Sequence, residues 1–326
     1  MGEVVPIPVR EPGSCTATTR RGARCRNRAV DVSGFCRVHG GGAVEAPPVA
    51  PSTEEIDELL AFLRRRVTGE YEVDEFGFDP ELTETILAPL ARLFHRRYFR
   101  VEWRGLEHIP RDGAALLVSN HAGTIPMDAV IMKFGLLDQI ERHVRLLAAD
   151  LVFRLPFVGE LARKSGNTLA CDEDALRLLE RGELLGVFPE GYKGVGKLYK
   201  DRYKLQRFGR GGFIELGLRA GAPIVPVAIV GSEEIYPLIS HARPLARMLK
   251  LPYVPVTPFF PWLGPLGMLP LPTKWTIEFR PPIATDGHGE EAWQDSLLVF
   301  ELTDRVRDEI QGTLTRSLAS RRSLFL

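Results

Sequence analysis

The chain has no uninterrupted apolar stretch that could form a bilayer-spanning helix. Its longest uncharged run, Leu251 to Thr273, holds seven prolines, and proline removes a backbone donor and breaks a helix interior. Residues 1–13 lack a basic start leading into an apolar core, so no secretory leader is expected. Cysteine is scarce, four in 326 residues, with three of them close to a histidine. That usage fits a reducing compartment and a metal site better than a disulfide framework. No Gly-x-Ser-x-Gly segment occurs, which argues against a serine acyl-enzyme. Cys171 reads as a structural thiol rather than a nucleophile.

Net charge is also missing, because 42 bases balance 42 acids. The balance hides a split: residues 53–84 carry eleven acids against three arginines, and residues 190–212 carry seven bases against two acids. The basic stretch suggests an anionic ligand or surface. Hydrophobic content of 44% is ordinary for a globular chain, and the length allows a full core.

Three regions follow from composition. Residues 1–40 hold Cys15, Cys25, Cys36 and His39 among arginines. Three thiolates and an imidazole suit a closed tetrahedral zinc site, and a segment so short and polar has little core without a metal. Residues 41–52, rich in Gly, Pro and Ala, read as a linker. Residues 53–326 form the main domain, opened by a capping box before a helix over 56–66. The spacing predicts a second helix over 83–97, apolar on one face, with Pro89 as a kink or as its true start; this helix packs on the core or lies in a membrane interface.

Further on, apolar strands at 114–119, 144–148, 167–170, 184–188, 223–230 and 275–279 alternate with helical segments at 129–135, 157–164, 172–182 and 208–220, before one or two C-terminal helices over 290–318. Gly135 reads as the stop of the first of these. Alternating units with all-apolar strands predict an α/β fold with a mostly parallel central sheet flanked by helices.

Two strand ends carry the polar residues. The first strand runs into Asn120-His121-Ala122-Gly123-Thr124-Ile125-Pro126-Met127-Asp128, a strand-to-helix loop. A histidine followed by a carboxylate at a helix start makes a general base with its orienting partner. The strand at 184–188 runs into Pro189-Glu190-Gly191-Tyr192-Lys193. That turn presents one carboxylate, a glycine that lets backbone approach a ligand, and a basic loop suited to phosphate.

Asn-His…Asp at 120–128, Phe-Pro-Glu-Gly at 188–191 and Val-Pro-Val-Ala-Ile at 225–229 together resemble the glycerolipid acyltransferases, the 1-acylglycerol-3-phosphate acyltransferase superfamily, over roughly residues 80–285. The resemblance implies transfer of a fatty acyl group from acyl-CoA or an acyl carrier protein to a hydroxyl of a glycerol-based lipid. It makes His121 the base and Asp128 its partner. Asn120, Gly123, Thr124, Glu190 and Gly191 become acceptor contacts, joined by Lys193, Lys197 and Arg207 of the basic loop. A thioester is already activated, so a base and positioning suffice and no catalytic cofactor is expected.

Two departures stand out. Six residues separate His121 from Asp128 where four are usual, and a branch with Asn-His-x-Gly-x-x-Pro-x-Asp shows the longer loop. The arginine common after the middle block is missing at Ala170-Cys171-Asp172-Glu173-Asp174, which leaves the acceptor headgroup open. The expected partner is a membrane surface, at the cytoplasmic face of the cell membrane, met through the apolar side chains of 251–273 or the helix at 83–97. A reading from another class makes the fold a scaffold in a lipid- or nucleic-acid-binding protein whose Cys/His module does the binding; the joint presence of His121, Asp128 and Glu190 favours the enzyme, and nucleic acid is not the expected partner.

Overall fold

The structure is a computed structural model that describes Cys25 and residues 53–325. The chain divides into two units, Met1–Glu70 and Tyr71–Leu326. In the first, a helix covers Thr53–Thr68, and Cys25 is buried. The other residues expected to hold zinc, Cys15, Cys36 and His39, lie outside the described residues.

The second unit is an α/β layer fold. Nine strands occur among the described residues: β1 (Glu102–Arg104), β2 (Ala115–Ser119), β3 (Val144–Ala148), β4 (Thr168–Leu169), β5 (Leu184–Val187), β6 (Ile224–Val230), β7 (Ser240–His241), β8 (Pro255–Val256) and β9 (Thr276–Phe279). Seven form one sheet in the order β1-β9-β6-β2-β5-β3-β4, while β7 and β8 pair separately. All contacts in the large sheet are parallel except β6 with β9. The central strands are apolar throughout because both faces are covered. On one face Leu116, Val118, Leu185 and Ile224 pack with the helices Asp172–Glu180, Gly212–Ala220 and Ser296–Ser320. On the other, Ala115, Leu117, Leu184 and Val225 pack with Ile131, Met132 and Leu136 of the helix Met127–Ile140.

Three local expectations change. Gly135 does not end its helix, which runs on to Ile140 and stops where Glu141 turns left-handed. Gly135 is instead a contact point: a Cβ there would meet the Trp103 ring at 2.2 Å. The helical run expected from residue 83 begins at Pro80, where the Asp79 side chain caps Leu82 N at 2.9 Å. Pro89 lies inside it, just after a π-turn over Thr83–Leu87 in which Ala88 N–H reaches back to Thr83 O; a wider turn accommodates the ring and the missing donor. Its Arg92 and Arg96 pair with Asp138 of the helix Met127–Ile140 at 2.7 Å each, and Ala88 and Ala91 pack on Phe134. Finally, a short helix at Asp150–Arg154 precedes Val158–Lys164.

Parallel register aligns Val118 of β2 with Val187 of β5. The segments leaving these strands, starting at Asn120 and Phe188, therefore emerge side by side at the C-terminal edge. There the chain leaves β2 for β3 on one side and β5 for β6 on the other, the usual crevice position in open α/β sheets.

Candidate active site

At the end of β2, Asn120 is fully buried and spans to β6. Its amide nitrogen donates to Ile229 O at 3.0 Å, and its carbonyl oxygen accepts from Ile229 N at 2.8 Å. Both ends of the amide are thus spent on backbone, and the side chain fixes where His121 leaves the sheet. The His121 side chain keeps 12% exposure, while Asp128 is wholly buried. His121 Nδ1 lies 2.8 Å from Asp128 Oδ2. The same carboxylate accepts Ala122 N at 2.7 Å and Ala129 N at 2.8 Å. An ionised carboxylate can only accept, so these contacts assign the imidazole proton to Nδ1 and leave the Nε2 lone pair free. The longer spacing therefore still closes the pair: Pro126 precedes the helix, and Asp128 folds back over the loop from its first turn. Phe188 packs against the imidazole with ring centroids 4.5 Å apart.

The segment after β5 turns two of its charges, Glu190 and Lys197, inward. Glu190 accepts His121 N at 3.0 Å and Gln206 N at 2.7 Å. Lys197, its side chain only 3% exposed, sits 3.2 Å from Glu190 and 3.2 Å from Glu233. Glu233 also accepts Tyr203 N at 2.8 Å. One cation between two buried carboxylates leaves an excess negative charge. Burial pushes the Glu233 carboxyl up to about 7, with Lys197 opposing and Glu190 reinforcing the rise. Gly191 holds φ 52 with ψ −139, a backbone state favoured by glycine. Gly194 presses on the histidine loop, where an added Cβ would come within 2.7 Å of His121 O.

His121, Asp128, Glu190, Gly123 and Thr124 are thus brought together, and Lys193 stands exposed at the rim. Arg207 faces elsewhere, into a cavity of about 790 Å³ shared with Arg210, Trp293, Phe300 and Arg307. Sequence reasoning placed Tyr253 among the membrane-facing side chains of 251–273 and missed its link to the site, where its hydroxyl donates to Thr124 O at 3.2 Å. Burial, with Asp128 and Tyr192 nearby, raises the Tyr253 pKa above the usual tyrosine value, so it stays a donor. Glu233 was also missed; both lie in connections without a recognisable motif.

The His121–Asp128 pair lies at the C-terminal edge of a doubly covered α/β sheet, where ligands bind in such folds. A family model described as acyltransferase matches residues 100–230, which span both strand-end loops. The chain is 56% identical to an uncharacterized protein of Mycobacterium tuberculosis over 269 residues, 82% of this chain and 75% of that one. A chicken protein described as a DGAT1/2-independent enzyme synthesizing storage lipids is 25% identical over 216 residues, 66% of this chain and 59% of the relative. The fold matches the crystal structure of the 1-acyl-sn-glycerophosphate acyltransferase PlsC from Thermotoga maritima, with a TM-score of 0.50 and 17% identity, covering 82% of this chain and 90% of that one. Residues 100–230 thus match an acyltransferase domain, and the chain as a whole belongs to the same family as the mycobacterial protein.

Proposed function

We propose that the protein moves a fatty acyl group from a thioester, acyl-CoA or acyl carrier protein, to a hydroxyl of a glycerol-based lipid. The observation that carries this reading is the 2.8 Å contact between His121 Nδ1 and Asp128, which leaves Nε2 as a lone-pair base on an acyltransferase-family site. Nε2 takes the proton of the acceptor hydroxyl as its oxygen attacks the thioester carbonyl. The resulting tetrahedral intermediate expels the thiolate, and the imidazolium returns the proton to sulfur. Asp128 holds the tautomer and favours the imidazolium. Glu190 acts by positioning, since it holds the His121 backbone and the Gln206 loop. Gly123, Thr124, Gly191 and Lys193 line the approach for the acceptor.

Contact with a membrane surface fits the connection between β6 and β9. Phe259, Trp262, Leu263, Leu266 and Leu269 there are exposed, as are Leu245, Met248 and Leu249 of the helix Arg243–Leu249. Exposed apolar groups beside bases suit an anionic lipid interface. No helix among the described residues is long and apolar enough to cross a membrane. The test of the activity is labelled acyl-CoA offered with lysophospholipids, monoacylglycerol and glycerol-3-phosphate, read by thin-layer chromatography. Label in an acylated lipid supports the reading; label only in free fatty acid would make the protein a thioesterase.

A further inference from the structure

Beside the segment after β5 lies a cavity of about 450 Å³ whose walls include Tyr192, Lys193, His241, Arg243, Arg247 and Tyr253. Its lining contains no carboxylate. This separates it from the 790 Å³ cavity, where Glu215 and Asp304 accompany the arginines. Lys193, Arg243 and Arg247 are exposed, and none makes a side-chain hydrogen bond or ion pair among the described residues. Elsewhere Arg96, Arg145, Arg280 and Arg321 each hold a carboxylate within 3.0 Å.

The local arrangement is also unfavourable by itself. Arg243 and Arg247 stand four residues apart in the helix Arg243–Leu249, a like-charge spacing that disfavours the helix. Arg243 occupies the first turn, where the helix dipole disfavours a cation. Lys193 adds a third positive charge. A polyanion removes all three costs at once, and arginine offers forked donors that match phosphate oxygens.

One side chain links the cavity to the histidine loop. Tyr253, one of its lining side chains, bonds Thr124 O in the histidine loop. Lys193 directly precedes Gly194, which abuts His121 O. An anion seated here lies next to elements that pack on the histidine loop.

We propose that Arg243 and Arg247, with Lys193, bind a phosphate group of a substrate, either the headgroup of a lysophospholipid acceptor or a phosphate of the CoA donor. The inference rests on the acyltransferase reading of the His121 site and adds a specificity site that neither strand-end motif contains. The test compares the protein with its Arg243→Ala/Arg247→Ala variant in uncharged detergent micelles, so that attraction to a charged surface is not what is measured. For an acceptor headgroup, the ratio of KM for lysophosphatidate to KM for monoacylglycerol rises at least tenfold. For the donor, the ratio of KM for palmitoyl-CoA to KM for palmitoyl-N-acetylcysteamine rises instead. Arg243→Lys/Arg247→Lys restores most of either shift, which a folding defect would not. Ratios within twofold of the parent in both arms overturn the site. If the parent transfers no acyl group at all, calorimetry with CoA and with lysophosphatidate still decides: heat of binding that the alanine variant loses upholds the phosphate site while the transferase reading fails, and no heat with either probe overturns the site.

Discussion

The loops after β2 and β5 look alike in sequence, each a polar motif at the end of an apolar strand, yet the structure uses them oppositely. After β2, backbone and carboxylate contacts converge on one imidazole that keeps a free nitrogen and partial access to solvent. After β5, Glu190 is buried against Lys197 and accepts two backbone amides. The first loop leaves one polar nitrogen unengaged, and the second spends its buried charges on structure. A polar residue at a strand end is therefore ambiguous until its partners are known.

Changes in the first loop should alter rate with the fold intact. Asp128→Asn should lower kcat by about 10²–10⁴-fold, because an amide can present its NH₂ to Nδ1 and fix the wrong tautomer. Kinetics beside an unchanged circular dichroism spectrum check this, and a near-parental rate would mean another group orients His121. Changes in the second loop should disturb the fold. Glu190→Ala removes the acceptor of His121 N and Gln206 N, a loss of about 1–3 kcal/mol for each amide, while Lys197 keeps Glu233. Urea unfolding reads the loss directly. A variant as stable as the parent, with only KM for the acceptor raised, would turn Glu190 into a binding group and erase the contrast.

Glu233 gives a smaller, pH-dependent effect. Its carboxyl ionises near 4.5 when unfolded and at about 7 in the fold. Between those values the folded state binds the extra proton, so stability falls as pH rises through that window and levels off above it. The contribution is at most about 3 kcal/mol. Glu233→Gln should flatten the slope of unfolding free energy between pH 5 and pH 8. An unaltered slope would place the titration elsewhere.

The smallest effect concerns the surface. Replacing Phe259, Phe260 and Trp262 with serine should reduce sedimentation with anionic liposomes several-fold without changing the circular dichroism spectrum. Unfolding of the variant would instead mark the segment as core.

How much of this was legible follows from what sets each feature. The strands β2, β5 and β6 could be read within a residue at either end, since burial on both faces leaves an unbroken apolar run. The pairing of His121 with Asp128 was legible because both lie in one loop. The motif marks Asn120 as an acceptor contact, yet its amide meets a strand 109 residues away. Lys197 was read as a phosphate donor, and its second carboxylate is 36 residues on, in a segment without a motif. Gly135 looks the same in sequence whether it ends a helix or makes room for Trp103. Local pattern carries strands and contiguous motifs; the inward or outward facing of a charge depends on partners the pattern does not contain.

The central claim is that His121 is the base of an acyl transfer, and the most direct measurement is the rate at which labelled acyl-CoA is converted to acylated lipid by the parent and by His121→Ala. The account predicts that the variant melts as the parent does and loses at least about 10³-fold in kcat, with no recovery at higher acceptor concentration. Transfer by a folded His121→Ala variant within about tenfold of the parent would contradict it.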